Sequence, residues 1–229
     1  MAWPIRCVVL IMLAVGFLMA QDRVSALYEA ASKGDKTALQ MLTVQATNAD
    51  AQAQFFLATM YVLGMGVTKN EAEALIWYRK AAEQDHASAQ FNLGLMYQAG
   101  EGVPKDAVQA VVWYRKAAEQ GNSSAQHQLA LMYFKGNGIL KDAAQAVIWY
   151  RKAAEQGDAG AQSNLGSEYY KGVGVPKDIV VAYMWRNLAA AQGNEIGKTA
   201  RDALEKDMTP AQIAEAQKLS REWRPKKSK

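Results

Sequence analysis

The sequence predicts an all-α protein, a solenoid of about four consecutive helix pairs. Good helix formers dominate the composition, and only 5 of the 229 residues are proline. Two aromatic residues also recur at a fixed interval of 36 residues, which is typical of stacked helical repeats. The recurring residues are Trp77, Trp113, Trp149 and Trp185, together with Tyr61, Tyr97, Tyr133 and Tyr169.

The first element, residues 1–20, is predicted to be a secretory signal peptide. A positively charged start precedes an almost wholly apolar stretch from Cys7 to Met19. This stretch is shorter than the roughly 20 residues that cross a bilayer, which favours cleavage after Ala20 or Ala26. We therefore expect an exported protein, periplasmic or secreted; the alternative is an inner-membrane anchor formed by an uncleaved N-terminal helix. Because Cys7 is the only cysteine, the mature chain should have neither disulfides nor thiolate ligands.

Each repeat is predicted to begin with a helix whose apolar face holds a leucine, a small residue and a tyrosine. In the first copy these are Leu57, Ala58 and Tyr61, at the spacing of one helix face. A loop with two glycines follows, and glycine supplies the positive φ angles of a tight turn. A phosphate-binding interpretation fails because no strand precedes the loop. The glycine pairs are Gly64 and Gly66, Gly100 and Gly102, Gly136 and Gly138, and Gly172 and Gly174.

The second helix of each repeat is predicted to start at an Asn or Asp that caps its first turn. An acid or amide three residues later indicates a reciprocal capping pair in three copies. The tryptophans fall on the apolar face of this helix and are expected in the core, with Arg79, Lys80 and their equivalents on the solvated side. The caps are Asn70, Asp106, Asp142 and Asp178, the reciprocal partners Glu73, Gln109 and Gln145, and the C-terminal glycines Gly121, Gly157 and Gly193.

A longer pattern runs from Ala89 to Gly121, and its core is Leu-Gly-x-x-Tyr-x-x-Gly-x-Gly-Val-x-x-Asp. It continues as x-x-x-Ala-x-x-Trp-Tyr-x-Lys-Ala-Ala-x-Gln-Gly, and the whole resembles the Sel1-like repeat, which is related to tetratricopeptide repeats. The resemblance implies a right-handed α–α superhelix of helix-turn-helix repeats whose first helices line a concave face. It also implies a role in assembling other proteins, often in bacterial envelopes. The copies occupy residues 51–86, 87–122, 123–158 and 159–194.

The ends of the repeat array depart from the pattern. Residues 23–50 are predicted to form a degenerate N-terminal unit, and residues 195–223 a C-terminal capping helix pair that covers the exposed end. Thr209 followed by Pro210, with Gln212 at the third helical position, is a strong helix start. The fourth copy differs from the others at Arg186, Asn187 and Leu188, and residues 224–229 are expected to be a basic disordered tail.

The predicted function is a non-catalytic protein–protein interaction scaffold or adaptor of the bacterial envelope, with no cofactor and no metal. Charges nearly balance in the repeats, which argues against nucleic acid as a partner, and no stable membrane insertion is expected after signal cleavage. By analogy with tetratricopeptide repeats, a protein or peptide segment should bind first-helix positions that vary between copies. These are Phe55, Thr59, Val62, Phe91, Asn92, Leu95, Gln98, His127, Leu131, Phe134, Ser163, Asn164, Ser167 and Tyr170.

The alternative function is β-lactam binding or hydrolysis, which the resemblance implies only through cysteine-rich relatives whose cysteines this chain lacks. Catalytic candidates are few, because the chain has two histidines. His86 is expected to be a loop residue of the turn between repeats. His127 lies on a first helix without a second ligand at the helical metal-binding spacing, so neither histidine indicates a catalytic site.

Overall fold

The structure, a computed structural model, describes residues 22–226, and every regular element in that range is helical. The predicted all-α solenoid class, made of consecutive helix pairs, is confirmed. Within the described range the α-helices are α1 (22–32), α2 (Lys36–Thr47), α3 (Ala51–Leu63), α4 (Glu71–Glu83), α5 (Ala87–Ala99), α6 (Ala107–Glu119), α7 (Ser123–Lys135), α8 (Ala143–Glu155), α9 (Ala159–Lys171), α10 (Ile179–Ala191), α11 (Glu195–Leu204) and α12 (Pro210–Glu222), with a 3-10 turn at Glu205–Asp207 between the last two.

Each predicted repeat contains two helices of 13 residues. We call α3, α5, α7 and α9 the first helices, and α4, α6, α8 and α10 the second helices. The first and second helices pack against each other within repeats, as α3 does on α4 and α9 on α10. Each second helix α4, α6 and α8 also packs on the first helix that follows it. Helix-on-neighbour packing of this kind is the architecture of a repeat protein.

The chain divides into two compact units, Met1–Lys105 and Asp106–Lys229. In the first unit, described from residue 22, a core cluster joins Val24, Leu42 and Leu57 from three different helices. In the second unit, a cluster near the C-terminus joins Tyr183 of α10 to Leu204 at the end of α11 and Met208 just beyond it. The helices of each unit are therefore joined by apolar side chains that neighbouring helices share.

The second helices start at the predicted caps. Asn70 Oδ1 accepts bonds from the backbone N–H groups of Ala72 and Glu73, both at 3.1 Å. Asp106, Asp142 and Asp178 cap their helices in the same way. These bonds satisfy amides of the first helical turn that have no partner within the helix.

The predicted reciprocal half of these caps is wrong. Within the described residues, the side chains of Glu73, Gln109 and Gln145 make no bond back to the cap backbone. The first and third caps show the reason, because their own N–H groups already bond to a backbone carbonyl on the other side of the glycine loop. Asn70 donates its backbone N–H to the Tyr61 carbonyl at 3.0 Å, and Asp142 donates to the Tyr133 carbonyl at 3.0 Å.

The glycine loops are turns, as predicted, and their second glycine also has a packing role. Gly102 has a φ of 67°, and a Cβ atom placed there would lie 2.5 Å from the carbonyl oxygen of Glu71, the first residue of α4. Gly66 is equally close to the carbonyl oxygen of Ala31 at the end of α1. The loop therefore lies directly on the backbone of a preceding helix, which only glycine permits.

The tryptophans are less buried than the sequence predicts in two of the four repeats. Trp149 and Trp185 are buried, but Trp77 and Trp113 are half-buried. Lysine ammonium groups cover three of the rings, with Lys80 Nζ 4.1 Å from the ring centroid of Trp77. The tyrosines that follow them, Tyr78, Tyr114 and Tyr150, are at most 3% exposed.

Arginine on a second helix bonds to a tyrosine of the next repeat. In the first unit, an Nη atom of Arg79 donates to the Tyr97 hydroxyl at 2.7 Å. In the second unit, Arg115 bonds to Tyr133 at 2.7 Å and Arg151 to Tyr169 at 2.6 Å. These arginines lie toward solvent, as predicted, but each also makes a bond between repeats. Asn187 stands at the equivalent position of the fourth repeat.

A buried glutamine at the start of each first helix forms a second polar link that the sequence analysis missed. Gln54 Nε2 donates to the Ala46 carbonyl at 2.9 Å, and Gln54 Oε1 accepts from Gln84 Nε2 at 2.8 Å. Gln90, Gln126 and Gln162 donate to the corresponding alanine carbonyls of the preceding helices. The signal was present, because these glutamines recur with the period of the tryptophans.

The helices beyond the repeats contact the repeat array at both of its ends. Among the first-unit helices, α2 packs on α3, and in the second unit α11 and α12 both pack on α10. Thr209 and Gln212 form the reciprocal cap of α12, as their sequence predicts. The Trp223 ring lies edge-on to Trp185, with the centroids 6.2 Å apart.

The basic tail predicted for residues 224–229 is described only as far as residue 226. Within that part, Lys226 bonds to the Glu155 carbonyl through its backbone N–H at 2.7 Å and to Glu155 Oε2 through its ammonium group at 2.8 Å. Lys226 therefore contacts the end of α8, and the disorder of the tail stays a prediction. Residues 227–229, like the predicted signal peptide at 1–20, lie outside the described residues. None of the helices seen between residues 22 and 226 has the length and apolar character that crossing a bilayer requires.

Candidate functional site

The fourteen residues predicted to bind a partner all lie on first helices, and we call this set the first-helix stripe. Seven belong to α3 and α5 of the first unit, and seven to α7 and α9 of the second. Thirteen of them are half-buried or exposed, which leaves part of each side chain accessible. Ser163 is the exception, because its side chain is buried between helices. Thirteen of the predicted residues are thus at least partly accessible, and Ser163 is buried.

In the first unit, three residues of the stripe meet the hydroxyl end of Tyr78. Thr59 Oγ1 lies 3.1 Å from the Tyr78 hydroxyl, and the Asn92 side chain also bonds to it. The Phe55 ring is tilted against the Tyr78 ring at 5.9 Å. Burial raises the pKa of Tyr78, so this hydroxyl stays neutral and holds the two helices together. These three stripe residues therefore have a packing role as well as an accessible face.

His86 lies in the turn between repeats, as predicted, and it also caps α5. Its Nδ1 accepts the backbone N–H of Ala89 at 3.2 Å, and its Nε2 lies 3.1 Å from Gln52 Oε1. The ring also stacks on Phe55 at 4.8 Å. Burial lowers the pKa of His86, which keeps the ring neutral and able to accept the capping bond. The equivalent residues Asn122, Asp158 and Asn194 cap their helices through oxygen atoms.

The accessible part of the stripe in the first unit is mainly apolar. Leu95 is 37% exposed, and Val62 and Phe91 are half-buried. Gln98 is the polar member at the C-terminal end of α5. Exposed leucine and half-exposed phenylalanine on neighbouring positions of a helix present apolar area to a partner.

In the second unit, the His127 side chain connects α7 to α9, and most of its contacts are with polar groups. Its Nδ1 lies 3.0 Å from Asp158 Oδ1, and its Nε2 lies 3.0 Å from Asn164 Nδ2. Burial on its own would raise the pKa of Asp158, but the bond from His127 and the backbone N–H of Ala161 outweigh it, so that this pKa is lowered. The pair therefore fixes the start of α9.

This arrangement gives His127 no catalytic partner. The second ring nitrogen faces an amide rather than the hydroxyl or thiol that a nucleophile would provide. Among residues 22–226, no three His, Cys, Asp or Glu side chains are grouped so that they could hold a metal ion. Both ring nitrogens of His127 therefore contact side chains of the same unit.

At the C-terminal end of α9, the stripe meets a buried arginine that the sequence analysis did not predict as a site residue. Arg186 occupies the position held by tyrosine in the other three repeats, and it is only 6% exposed. Its guanidinium carbon lies 5.2 Å from the Tyr170 ring centroid, and one Nη lies 3.5 Å from Ser167 Oγ. The sequence does contain a sign of this site, because a cation replaces an aromatic residue at a repeated core position.

A cavity of about 280 Å³ opens beside this arginine. Its wall combines an aromatic ring, a guanidinium, a carboxylate and three apolar side chains. The Tyr170 hydroxyl donates to Asp207 Oδ2 at 3.2 Å, which joins α9 to the 3-10 turn. The lining residues are Tyr170, Arg186, Ala200, Ala203, Leu204 and Asp207.

Comparison with known proteins places these features in a family. The family model of the Sel1 repeat matches residues 51–86, 87–122, 123–158 and 159–194, which are the boundaries that the sequence predicts. A search of the curated proteins returned no match to the chain.

Solved structures are similar to most of the chain. A Sel1 repeat protein from Oxalobacter formigenes is 34% identical, with a TM-score of 0.72, over 86% of this chain and 84% of that one. A protective antigen of uropathogenic Escherichia coli strains that displays an SLR fold is 28% identical over 87% of this chain and 60% of that one, with a TM-score of 0.45. An immunity protein from Pseudomonas aeruginosa is 22% identical over 87% and 79%, with a TM-score of 0.51, and shares the fold.

Proposed function

Because the chain belongs to the Sel1 repeat family, we propose that it is a non-catalytic adaptor whose first-helix stripe binds a segment of another protein. One observation carries the proposal. Residues that recur in all four repeats, such as the buried leucines and glutamines, are used in packing between helices. The stripe varies between repeats and yet stays accessible at thirteen of its fourteen positions.

The side chains of the stripe indicate the chemistry of the partner. In the first unit, Val62, Phe91 and Leu95 offer apolar area, which suits apolar side chains of an extended or helical segment. In the second unit, His127 and Asn164 offer hydrogen-bonding groups suited to backbone amides or polar side chains. We propose a peptide or protein segment with both apolar and polar contacts as the ligand class.

The test is capture of a partner in the cells that make the protein, by crosslinking and mass spectrometry. Changing Phe91 and Phe134 together to Ala should reduce the recovered partner by about tenfold or more, because aromatic residues dominate binding energy at interfaces. Helical circular dichroism should be unchanged.

The matched control changes two exposed apolar residues of the second helices, Val108 and Ile148, to Ala. They are 57% and 45% exposed but lie outside the stripe, so the recovery of the partner should not change. Equal recovery with the Phe91 and Phe134 variant would contradict the proposal.

We further propose that the adaptor is exported to the periplasm or secreted, with cleavage after Ala20. Cleavage after Ala26 would remove Val24, which is 4% exposed and packs in the core of the first unit with Leu42 and Leu57. It would also remove the start of α1, which the structure describes from residue 22. Core packing thus favours the earlier of the two predicted cleavage sites.

A further inference from the structure

Arg186 is a cation in a position built for an aromatic ring. The equivalent residues Tyr78, Tyr114 and Tyr150 are all buried. Arg186 is equally buried, yet a guanidinium carries a permanent charge and five N–H donors. Burying such a group is costly unless it is paired and hydrogen-bonded.

The protein satisfies only part of this group. One Nη donates to the Ala200 carbonyl at 3.0 Å, the other reaches Ser167 Oγ at 3.5 Å, and Nε is buried without an acceptor. In the described part of the chain, no carboxylate lies within 4.0 Å of the guanidinium. Burial lowers the pKa of Arg186, the sign of a charge that has lost water without gaining an anion.

The cavity lies beside this incompletely bonded guanidinium. At about 280 Å³ it is slightly smaller than the usual range of small-molecule sites, ~300–1,000 Å³, so it suits a small terminal group. Ala200, Ala203 and Leu204 give it an apolar wall. Asp207 on the same wall would repel a doubly charged phosphate more strongly than a singly charged carboxylate.

We propose that the Arg186 cavity binds a carboxylate, the C-terminal carboxylate of the partner segment. A carboxylate is planar and accepts two parallel bonds from a guanidinium, and each Nη of Arg186 makes one bond within the chain and has a second N–H to offer. Ser167 and Tyr170 belong to the first-helix stripe and also contact Arg186, so a segment lying on α9 would reach the cavity with its end. The inference rests on the proposed function, because it identifies the end of the partner segment.

The first experiment uses the full chain and two small probes, N-acetylalanine and its uncharged amide. At about 10 mM and matched ionic strength, N-acetylalanine should raise the thermal unfolding midpoint by ~3 °C, because ligands that bind only the folded state stabilise it. The amide should leave the midpoint unchanged. The variant Arg186→Tyr restores the residue of the other repeats and should lose the response, whereas Arg186→Lys should keep a weaker one.

A similar response to the acid and the amide, or a response that persists in Arg186→Tyr, would overturn the carboxylate site. If Arg186→Tyr fails to fold, Ala203→Phe provides a second variant that fills the cavity and leaves the arginine in place. It should abolish the response to N-acetylalanine as well. A full response in Ala203→Phe would overturn the assignment to this cavity.

The second experiment distinguishes a peptide end from a free small acid. Immobilised full chain is offered a mixture of random octapeptides that end either in a carboxylate or in an amide. The carboxylate forms should be enriched about tenfold, and Arg186→Tyr should remove this preference. Equal capture of both forms overturns the inference but leaves the proposed function standing. Preference for carboxylates that survives the Phe91 and Phe134 change supports the cavity and contradicts the binding role proposed for those two phenylalanines.

Discussion

A carboxyl group lies in the second unit where the other repeats have a thioether. Glu168 occupies the position of Met60, Met96 and Met132, and it is 4% exposed. One of its oxygens, Oε2, has no hydrogen-bond partner. Burial raises the pKa of Glu168, and the positive charge of Lys171 offsets this only in part. At neutral pH the ionised carboxylate is therefore a destabilising feature of this helix.

We predict that Glu168→Met stabilises the protein at pH 7 by about 1–3 kcal/mol, the usual cost of an unsatisfied buried polar group. Urea unfolding followed by circular dichroism measures the change. The exposed Glu119→Met on α6 is the control and should have little effect. A loss of stability in Glu168→Met would show that the carboxylate has a partner that stabilises it.

The same variant predicts a dependence on pH with a definite sign. The folded-state pKa of Glu168 lies above its ordinary 4.5, so the folded protein favours the protonated side chain. The stability that comes with the protonated form is fully present below pH 4.5 and is lost as the pH rises through the folded pKa. The advantage of Glu168→Met should therefore be large at pH 7 and small at pH 4.

At the level of the secondary-structure elements, the glycine loops determine how closely each repeat approaches the one before it. At Gly102, two demands coincide: a φ of 67° and contact with the backbone of α4. Gly34, in the turn between α1 and α2, has a φ of 97° but no atom within 4 Å of an added Cβ. Substitution at Gly34 therefore tests backbone strain alone, whereas substitution at Gly102 tests backbone strain and steric contact together.

We predict that Gly34→Ala lowers the free energy of unfolding by about 1–2 kcal/mol, the cost of a left-handed alanine. Gly102→Ala should lower it by ~3 kcal/mol or more, because the new methyl group also displaces the α4 backbone. Thermal and urea unfolding of both variants measure the difference. Equal losses would mean that the loop moves away from α4 at little cost.

The helices, their caps and the glycine turns could be predicted from sequence because each depends on residues close together in the chain. The features that the sequence did not predict depend on contacts between residues that are distant in the chain. The N–H of Asn70 is bonded to Tyr61 across the loop, which leaves Glu73 no role in the cap. Likewise, the contacts of Arg186 with Ala200 and Tyr170 required the packing of α9, α10 and α11 to be known.

At the level of the whole molecule, apolar packing and regular polar links hold the described chain together without disulfides. The sequence has one cysteine, Cys7, which lies outside the described residues. In each unit, buried glutamines bond first helices to the helices that precede them. Stability in such a protein is approximately a sum over repeats and their interfaces, so the loss of core residues at the start of the chain weakens the first unit directly.

Expression of the full chain in bacterial cells tests the proposed processing. We predict a purified protein that begins at Gln21, as measured by intact mass and the mass of the N-terminal peptide. Replacing Ala20 by Trp should block or shift cleavage, since processing sites require small residues, and Ala26→Trp should not. A mature protein that begins at Leu27, or one that keeps Met1, would contradict the prediction.

The arginine–tyrosine bond between successive repeats has a consequence for how this array can change in length. A copy of the third repeat inserted between the third and fourth repeats would have an arginine in the repeat before it and a tyrosine in the repeat after it. The arginine–tyrosine bond would therefore form at both new junctions. A copy appended after the fourth would meet Asn187, which lacks the guanidinium that Arg151 uses to reach Tyr169. Growth by internal duplication is therefore chemically easier for this chain than growth at its C-terminal end.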